Sequence, residues 1–299
     1  MERFLAIVNP AAGGGRSAKL AGPALTRLRA GGLEVNVVST AAPGDGVRLA
    51  REGYAQGYRK FIAVGGDGTG HEILNGICDA GIPSERVTMG FLPLGTGNSF
   101  LRDFTRDGAK ASLQALLEGR TRTIDLMRLT HPGGELYSFN LVSVGFTANV
   151  GALTNRYFKP FGHLGYLLGV FVRLAQLRPL SFAVRCDDDQ AWDRRPCLFL
   201  TFNNSAYTGG TMWIAPDADA SDGLIEFVHW GPIGRLAALR MLPTIYDGRH
   251  MQHPQAARRT VRHVEFNMPQ PVDVMIDGEV LPLTCRTLDI VPAAVDVYI

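Results

Sequence analysis

The sequence predicts an α/β N-terminal domain on a parallel sheet, followed by a β-rich C-terminal domain of sandwich type. Three observations lead there. Apolar runs of strand length alternate with amphipathic stretches over residues 1–125. From Thr123 onward short β-rich runs dominate, with two helical interruptions. Glycine makes up 35 of 299 residues, and 21 of these fall in residues 1–125 against 14 in residues 126–299. Repeated β-α units with buried strands imply a parallel sheet with helices on both faces. Successive strands imply a sandwich or a barrel. The boundary is set near Asp125, giving regions 1–125 and 126–299.

In order, residues 4–8 form an apolar strand, and Asn9-Pro10 with three glycines turns the chain. A helix is expected over 17–30, stopped by Gly31-Gly32. Residues 33–39 alternate like a strand, and 47–56 read as a helix. The strand 60–64 runs into a second glycine turn. Residues 72–79 are helical, and 87–92 form a strand before a third glycine turn. A helix over 109–118 closes at Gly119. In the second region strands are expected over 135–144, 182–186, 197–203, 224–230, 261–267, 272–276, 288–290 and 295–299. Helices are expected over 164–177 and 233–245, and Asp187-Asp188-Asp189 reads as a hairpin turn.

Composition narrows the function. Lys plus Arg is 30 and Asp plus Glu is 28, a net charge of +2, so the basic excess of a nucleic-acid binder is missing. The four cysteines include no C-x-x-C pair, which supports neither a zinc ribbon nor a redox motif and suggests a reducing compartment. The apolar run at 4–8 is too short for a signal-peptide core. The longest apolar run, 164–172, is too short for a membrane span. A cytoplasmic protein is expected, with peripheral contact at a membrane and a homodimer left open.

The three glycine turns are Asn9-Pro10-Ala11-Ala12-Gly13-Gly14-Gly15, Gly65-Gly66-Asp67-Gly68-Thr69 and Leu94-Gly95-Thr96-Gly97-Asn98. In a parallel sheet all three lie at the carboxyl edge of the strands, where ligands bind. Glycine lets the backbone come close to a ligand, and the following helix N-termini favour anions. Neither a P-loop nor the dinucleotide fingerprint is present. The pattern points to a polyphosphate.

These residues resemble the diacylglycerol kinase catalytic-domain family, which includes bacterial lipid kinases, sphingosine kinases and ceramide kinases. Gly65 to Thr69, followed by Glu72 and Asn75-Gly76, is similar to its GGDGT signature. Asn9-Pro10 with Gly13 resembles its first nucleotide loop, and Leu92 to Asn98 its third. Ala215-Pro216 through Asp222-Gly223-Leu224, and Ile276-Asp277-Gly278-Glu279, resemble its two later motifs. The resemblance implies a fold like that of NAD kinases and diacylglycerol kinases, an active site in a cleft between two domains, and phosphoryl transfer from ATP to a lipid hydroxyl. By it, Asn9, Thr40, Gly66 to Glu72 and Thr96 bind ATP. Pro10, Gly13, Gly65, Gly95 and Asn98 complete the loops, and Arg102 stands where the family often places an arginine.

Phosphoryl transfer needs a held triphosphate, Mg²⁺ and an oriented nucleophile. Asp67 is the acidic residue beside the expected phosphates and is assigned to positioning Mg²⁺, directly or through water. Asp277 and Glu279 sit two apart after a strand, so both carboxylates would share a face if the extended geometry continued. One of them is expected to be the general base, its pKa raised by partial burial. Asp125 is a further candidate for the metal-water network. Arg16 and Lys19 are candidate phosphate contacts. By the resemblance, Asp219, Asp222 and the Leu224 carbonyl hold a structural Mg²⁺. His71 is expected to face solvent, and His163 to be structural. Two positions depart from the family pattern: Ser99 stands where an aspartate is usual in bacterial members, and Gly14 where a cation is common. The apolar segment 157–177 reads as a core helix, or as a stretch part of which lines an acyl-chain path or rests on a membrane surface. A soluble-substrate kinase related to NAD kinase, and a non-catalytic nucleotide- or lipid-binding protein, are the alternatives.

Overall fold

The computed structural model describes residues 3–95, 97–154, 157, 169–170 and 172–299. Thr96 and His163 lie outside the described residues, as does most of 157–168. The chain divides into two compact units, Met1–Leu126 with Pro292–Ile299, and Met127–Val291.

In the first unit the elements are β1 (Arg3–Val8), α1 (Arg16–Ala30), β2 (Glu34–Ser39), α2 (Asp45–Ala55), β3 (Lys60–Gly65), α3 (Asp67–Ile77), β4 (Thr88–Pro93), a 3₁₀ turn (Phe100–Asp103), α4 (Ala109–Glu118) and the start of β5 (Thr121–His131). Strands β2, β1, β3 and β4 neighbour one another in that order and pair in parallel. Alternation along β1 explains the layers. Phe4, Ala6 and Val8 pack with Leu25 and Leu28 of α1 and Leu113 and Leu116 of α4. Leu5 points the other way, toward Gly53 of α2. Helix α3 begins at Asp67, inside the second glycine turn and five residues earlier than the apolar pattern suggests. Its first turn is glycine-rich and carries no periodic signal.

The second unit contains β6 (Gly134–Ser138), β7 (Leu141–Gly145), α5 (Phe146–Leu153), β8 (Leu180–Ser181), β9 (Ala183–Cys186), β10 (Pro196–Cys197), β11 (Phe199–Asn203), β12 (Tyr207–Thr208), β13 (Met212–Trp213), β14 (Ile225–Trp230), α6 (Arg235–Met241), β15 (Ala256–Val261), β16 (His263–Asn267), β17 (Val272–Ile276), β18 (Glu279–Leu283) and most of β19 (Thr287–Tyr298). One antiparallel sheet runs β15-β14-β11-β7-β17-β18. A second joins β9 to β16, β16 to β19, β19 to β5, and β5 to β6. Val142, Val144, Phe202, Phe227, Val274 and Ile276 of the first sheet meet Met127, Leu129, Val184, Val264 and Leu288 of the second in one core. This is a β-sandwich.

Several boundaries differ from the sequence reading. The single strand expected at 135–144 is two, β6 and β7, interrupted at Phe139-Asn140 where an aspartate gathers the turn. The strand expected at 261–267 is β16, which starts at His263, and β15, ending at Val261, precedes it where no strand was expected. The expected strands 288–290 and 295–299 are one, β19, kinked at Ala293, whose φ is +51°. Asp296 and Val297 pair in parallel with Thr88 and Met89 of β4, so residues 292–299 belong to the first unit. Helix α5 has no polar face to announce it, and the sequence reading missed it. Among the described residues no helix is long and apolar enough to cross a membrane.

Candidate active site

The three glycine turns are tied together at the carboxyl edge of the first unit's sheet. The Gly65 carbonyl accepts the N–H groups of Leu94 and Gly95, both at 2.8 Å, and the Val64 carbonyl accepts the Asn9 N–H at 2.9 Å. The Asn9 amide donates to Thr69 Oγ1 at 3.4 Å, and its Oδ1 accepts the Ala11 N–H at 3.1 Å. Close approach is what demands glycine here. A Cβ on Gly95 would stand 2.5 Å from the Gly66 Cα, and one on Gly13 would stand 2.5 Å from the Leu94 carbonyl oxygen. Pro10 follows Asn9 in the first turn. Thr40 closes β2, its N–H bonded to the Val8 carbonyl. The first turn of α3, Asp67 to Thr69, ends this cluster as helix N-termini do at anion sites, with the Thr69 N–H donated to the Gly66 carbonyl at 3.0 Å.

Asp67 is half-buried and accepts the Ser99 N–H at 2.7 Å through Oδ2. Asn98, at φ +50°, donates to the carbonyls of Pro93 and Gly95. The second and third loops are therefore locked together through one carboxylate, and the third loop is closed on itself by one amide. Ser99 contributes its backbone to Asp67, which any residue could do. A lone carboxylate at a helix N-terminus suits Mg²⁺, which keeps waters and takes substrate phosphates as its other ligands. Arg16, Lys19 and Arg102 are exposed.

Glu72 departs from its expected role. Its two oxygens accept the N–H groups of Gly44 at 2.9 Å and Gly46 at 2.8 Å. It caps the start of α2 from the neighbouring helix. Glu72→Ala is expected to cost about 1–2 kcal/mol, read as a lower denaturation midpoint, with nucleotide affinity unchanged. His71 does not face solvent either. It is 6% exposed, and its neighbour four residues on, Asn75, lies 3.3 Å from its Nδ1. Asp125 is buried and accepts the Ala293 N–H at 2.7 Å, holding the β19 kink. That contact accounts for its position without a metal.

In the second unit, Asp277-Gly278 is the two-residue turn between β17 and β18. Both residues have positive φ, +50° and +94°, the geometry of a type I′ hairpin. Extended geometry thus stops at Ile276, and the two carboxylates diverge. Asp277 is 3% exposed. Its Oδ1 accepts Ser138 Oγ at 2.6 Å and the N–H groups of Asn140 and Leu141, and its Oδ2 accepts the Phe139 N–H. It fastens the β6–β7 turn and is not placed to act as a base. Removing it would strand several buried donors. Asp277→Ala is expected to destabilise the protein by about 3–5 kcal/mol, measured by chemical denaturation. Glu279 is exposed at the first position of β18, so the partial burial expected for it is absent.

The acidic turn 217–224 is shaped by its own side chains. Asp219 Oδ1 accepts the Ser221 N–H and hydroxyl, and Asp222 Oδ1 accepts the Leu224 N–H. Asp217 pairs with Arg258. Glu226, on the adjacent strand, is held above the usual carboxylate range by burial and then by the charge of Asp222. Among the described residues no three His, Cys, Asp or Glu side chains gather as a metal site. The expected set is two carboxylates and a carbonyl, an all-oxygen set of the kind hard cations take.

The sequence reading missed an apolar cavity of about 510 Å³ in the second unit. Phe146, Phe199, Trp230, Met241, Ile245 and Met275 are among its walls, and Gly278 lines it beside Glu279. Val170 and Leu174, from the segment suspected of lining an acyl path, also line it. Its residues come from distant segments, each of which reads as ordinary core. Trp230 Nε1 and Thr154 Oγ1 are buried on this wall with no hydrogen-bond partner among the described residues.

Residues 3–129 match the model "Diacylglycerol kinase catalytic domain", and residues 140–299 match "YegS C-terminal NAD kinase beta sandwich-like domain". The diacylglycerol kinase of Mycobacterium tuberculosis (strain CDC 1551 / Oshkosh) is 30% identical over 298 residues, 99% of this chain and 94% of that protein. A protein of Chromohalobacter salexigens named "Probable lipid kinase YegS-like" is 31% identical over 278 residues, 89% of this chain and 84% of its own. In fold, the chain is similar to a crystal structure of a diacylglycerol kinase from Bacillus anthracis str. Sterne, with a TM-score of 0.70, 17% identity and 99% and 96% of the two chains covered. Matched along nearly its whole length in sequence and in fold, the chain belongs to the diacylglycerol kinase catalytic-domain family of lipid kinases.

Proposed function

We propose that the protein transfers the γ-phosphate of ATP to the hydroxyl of a membrane lipid. The observation that carries the lipid acceptor is the apolar cavity whose lining reaches Gly278, directly before Glu279. A soluble dinucleotide has no use for such walls, whereas an acyl chain is buried by them.

In this reading Asn9, Pro10, Gly13, Thr40, Gly65 to Thr69, Gly95 and Asn98 cradle the triphosphate. Thr96 completes the third loop, and Arg102 is available to a phosphate from the 3₁₀ turn. Asp67 would hold Mg²⁺, which when bound neutralises phosphate charge. Glu279 takes the proton of the lipid hydroxyl. The hydroxyl oxygen forms its bond to the γ-phosphorus as the bond to the bridging oxygen breaks, and ADP leaves. Asp277 acts indirectly, by fixing the hairpin that carries Glu279. A structural cation at Asp219, Asp222 and the Leu224 carbonyl belongs to the same proposal.

ADP release separates this reading from a soluble-substrate kinase. Detergent-dispersed diacylglycerol or a sphingoid base should stimulate it, and NAD should not. Stimulation by NAD alone would overturn the lipid acceptor.

A further inference from the structure

The β6–β7 connection is hydrogen-bonded along both of its edges. Its N–H groups point at Asp277. Those of Asn140 and Leu141 donate to Oδ1 at 3.0 and 3.1 Å, and that of Phe139 donates to Oδ2 at 3.3 Å. Its carbonyls point the other way, at Asn204, which follows β11 directly and is fully buried. Asn204 Nδ2 donates to the Phe139 carbonyl at 3.0 Å, and the Asn204 N–H donates to the Asn140 carbonyl at 2.8 Å.

These bonds share peptide groups. The Phe139 carbonyl and the Asn140 N–H belong to one peptide plane, and the Asn140 carbonyl and the Leu141 N–H belong to the next. Each plane is held by Asn204 at its oxygen and by Asp277 Oδ1 at its nitrogen. Hydrogen bonds in series polarise one another, so the bond at each oxygen strengthens the bond at the nitrogen. The Leu141 carbonyl in turn accepts the Asp277 N–H at 3.0 Å. An asparagine suits this place, because its amide donates without bringing a charge into the interior. An aspartate would set one acceptor against another. All of these residues lie in the second unit. Asp277 and Gly278 form the hairpin turn, and Glu279 follows, paired with Ile276.

We propose that Asn204 is a positioning residue for Glu279. It sets the place of the 139–141 turn from the end of β11, the turn sets Asp277, and Asp277 sets the hairpin that carries Glu279. Without the Asn204 amide the turn shifts, and the hairpin tied to it shifts too. The proposal rests on the reading of Glu279 as the base.

Asn204→Ala removes the side-chain bond and keeps the backbone one. Hydrogen exchange reads the linkage without catalysis: the amides of Asn140, Leu141 and Asp277 should exchange about tenfold faster in the variant. The value of kcat should fall about tenfold, with KM for ATP and for lipid unchanged, since a misplacement of ~1 Å can cost about a hundredfold. A double-mutant cycle with Glu279→Gln gives a signature that a general loss of stability does not. Once Glu279 is replaced, Asn204→Ala should lower kcat no further. Asn204→Ser, which also lacks the amide donor, takes its place should the alanine variant not fold. Unchanged exchange, unchanged kcat, or losses that multiply in the double variant would overturn the proposal. A wild-type rate in Glu279→Gln alone would instead refute the base, and the positioning role with it.

Discussion

Asp67→Asn is expected to lower the rate of phosphoryl transfer by about a thousandfold or more, while the melting temperature stays near the wild-type value. The substitution is nearly isosteric. An amide oxygen can still accept the Ser99 N–H that bridges the second and third glycine loops at 2.7 Å, so the loops remain tied together. What is lost is the negative charge at the head of α3, and with it the hard oxygen ligand for Mg²⁺. Single-turnover kinetics with saturating ATP would check the rate, and thermal denaturation would check the fold. Asp67→Ala removes the bridge as well. It should lose the rate and also weaken nucleotide binding, because the third loop loses one of its ties to the second.

Glu279→Gln is expected to lower kcat by about 10²–10⁴-fold with little effect on stability. Glu279 is exposed at the head of β18, and its backbone pairs with Ile276 whatever side chain it carries. Its role as base predicts a specific signature: kcat falls while ATP affinity, read by nucleotide binding, stays at the wild-type value. Asp277 gives the contrast. Asp277→Asn retains the hairpin turn and can keep some of the bonds to the β6–β7 connection, so it should chiefly lower stability. A sequence reading treats the two carboxylates of Asp-Gly-Glu as interchangeable candidates. The structure separates them, one buried under four donors and the other in solvent.

That separation shows where sequence was sufficient and where it was not. The parallel sheet was legible because buried strands read as continuous apolar runs, 4–8, 60–64 and 87–92 among them. The glycine turns were legible because close backbone approach admits no other residue, as Gly95 against Gly66 shows. The role of Glu72 was not, since its partners, Gly44 and Gly46, lie a helix away in sequence. His71 was misread as well: a helix start is commonly exposed, but here the side chain is 6% exposed beside Asn75 of the same helix. The φ sign change at Asp277 was foreshadowed by the Asp-Gly pair, which favours a type I′ turn. Giving that turn its full weight would have predicted the divergence of the two carboxylates. The apolar cavity was invisible because Phe146, Phe199 and Trp230 are remote in sequence. Their common property appears only when the sandwich is assembled.

The central claim, transfer from ATP to a lipid hydroxyl, is tested most directly by following the phosphate itself. The purified protein would be incubated with γ-labelled ATP, Mg²⁺ and mixed micelles of diacylglycerols, sphingoid bases, ceramides or phosphatidylglycerol, and the organic extract separated. Label in a lipid product, absent with Asp67→Asn and Glu279→Gln, is the predicted result. No labelled lipid from any of these substrates, under conditions where a control lipid kinase labels its own, would contradict it.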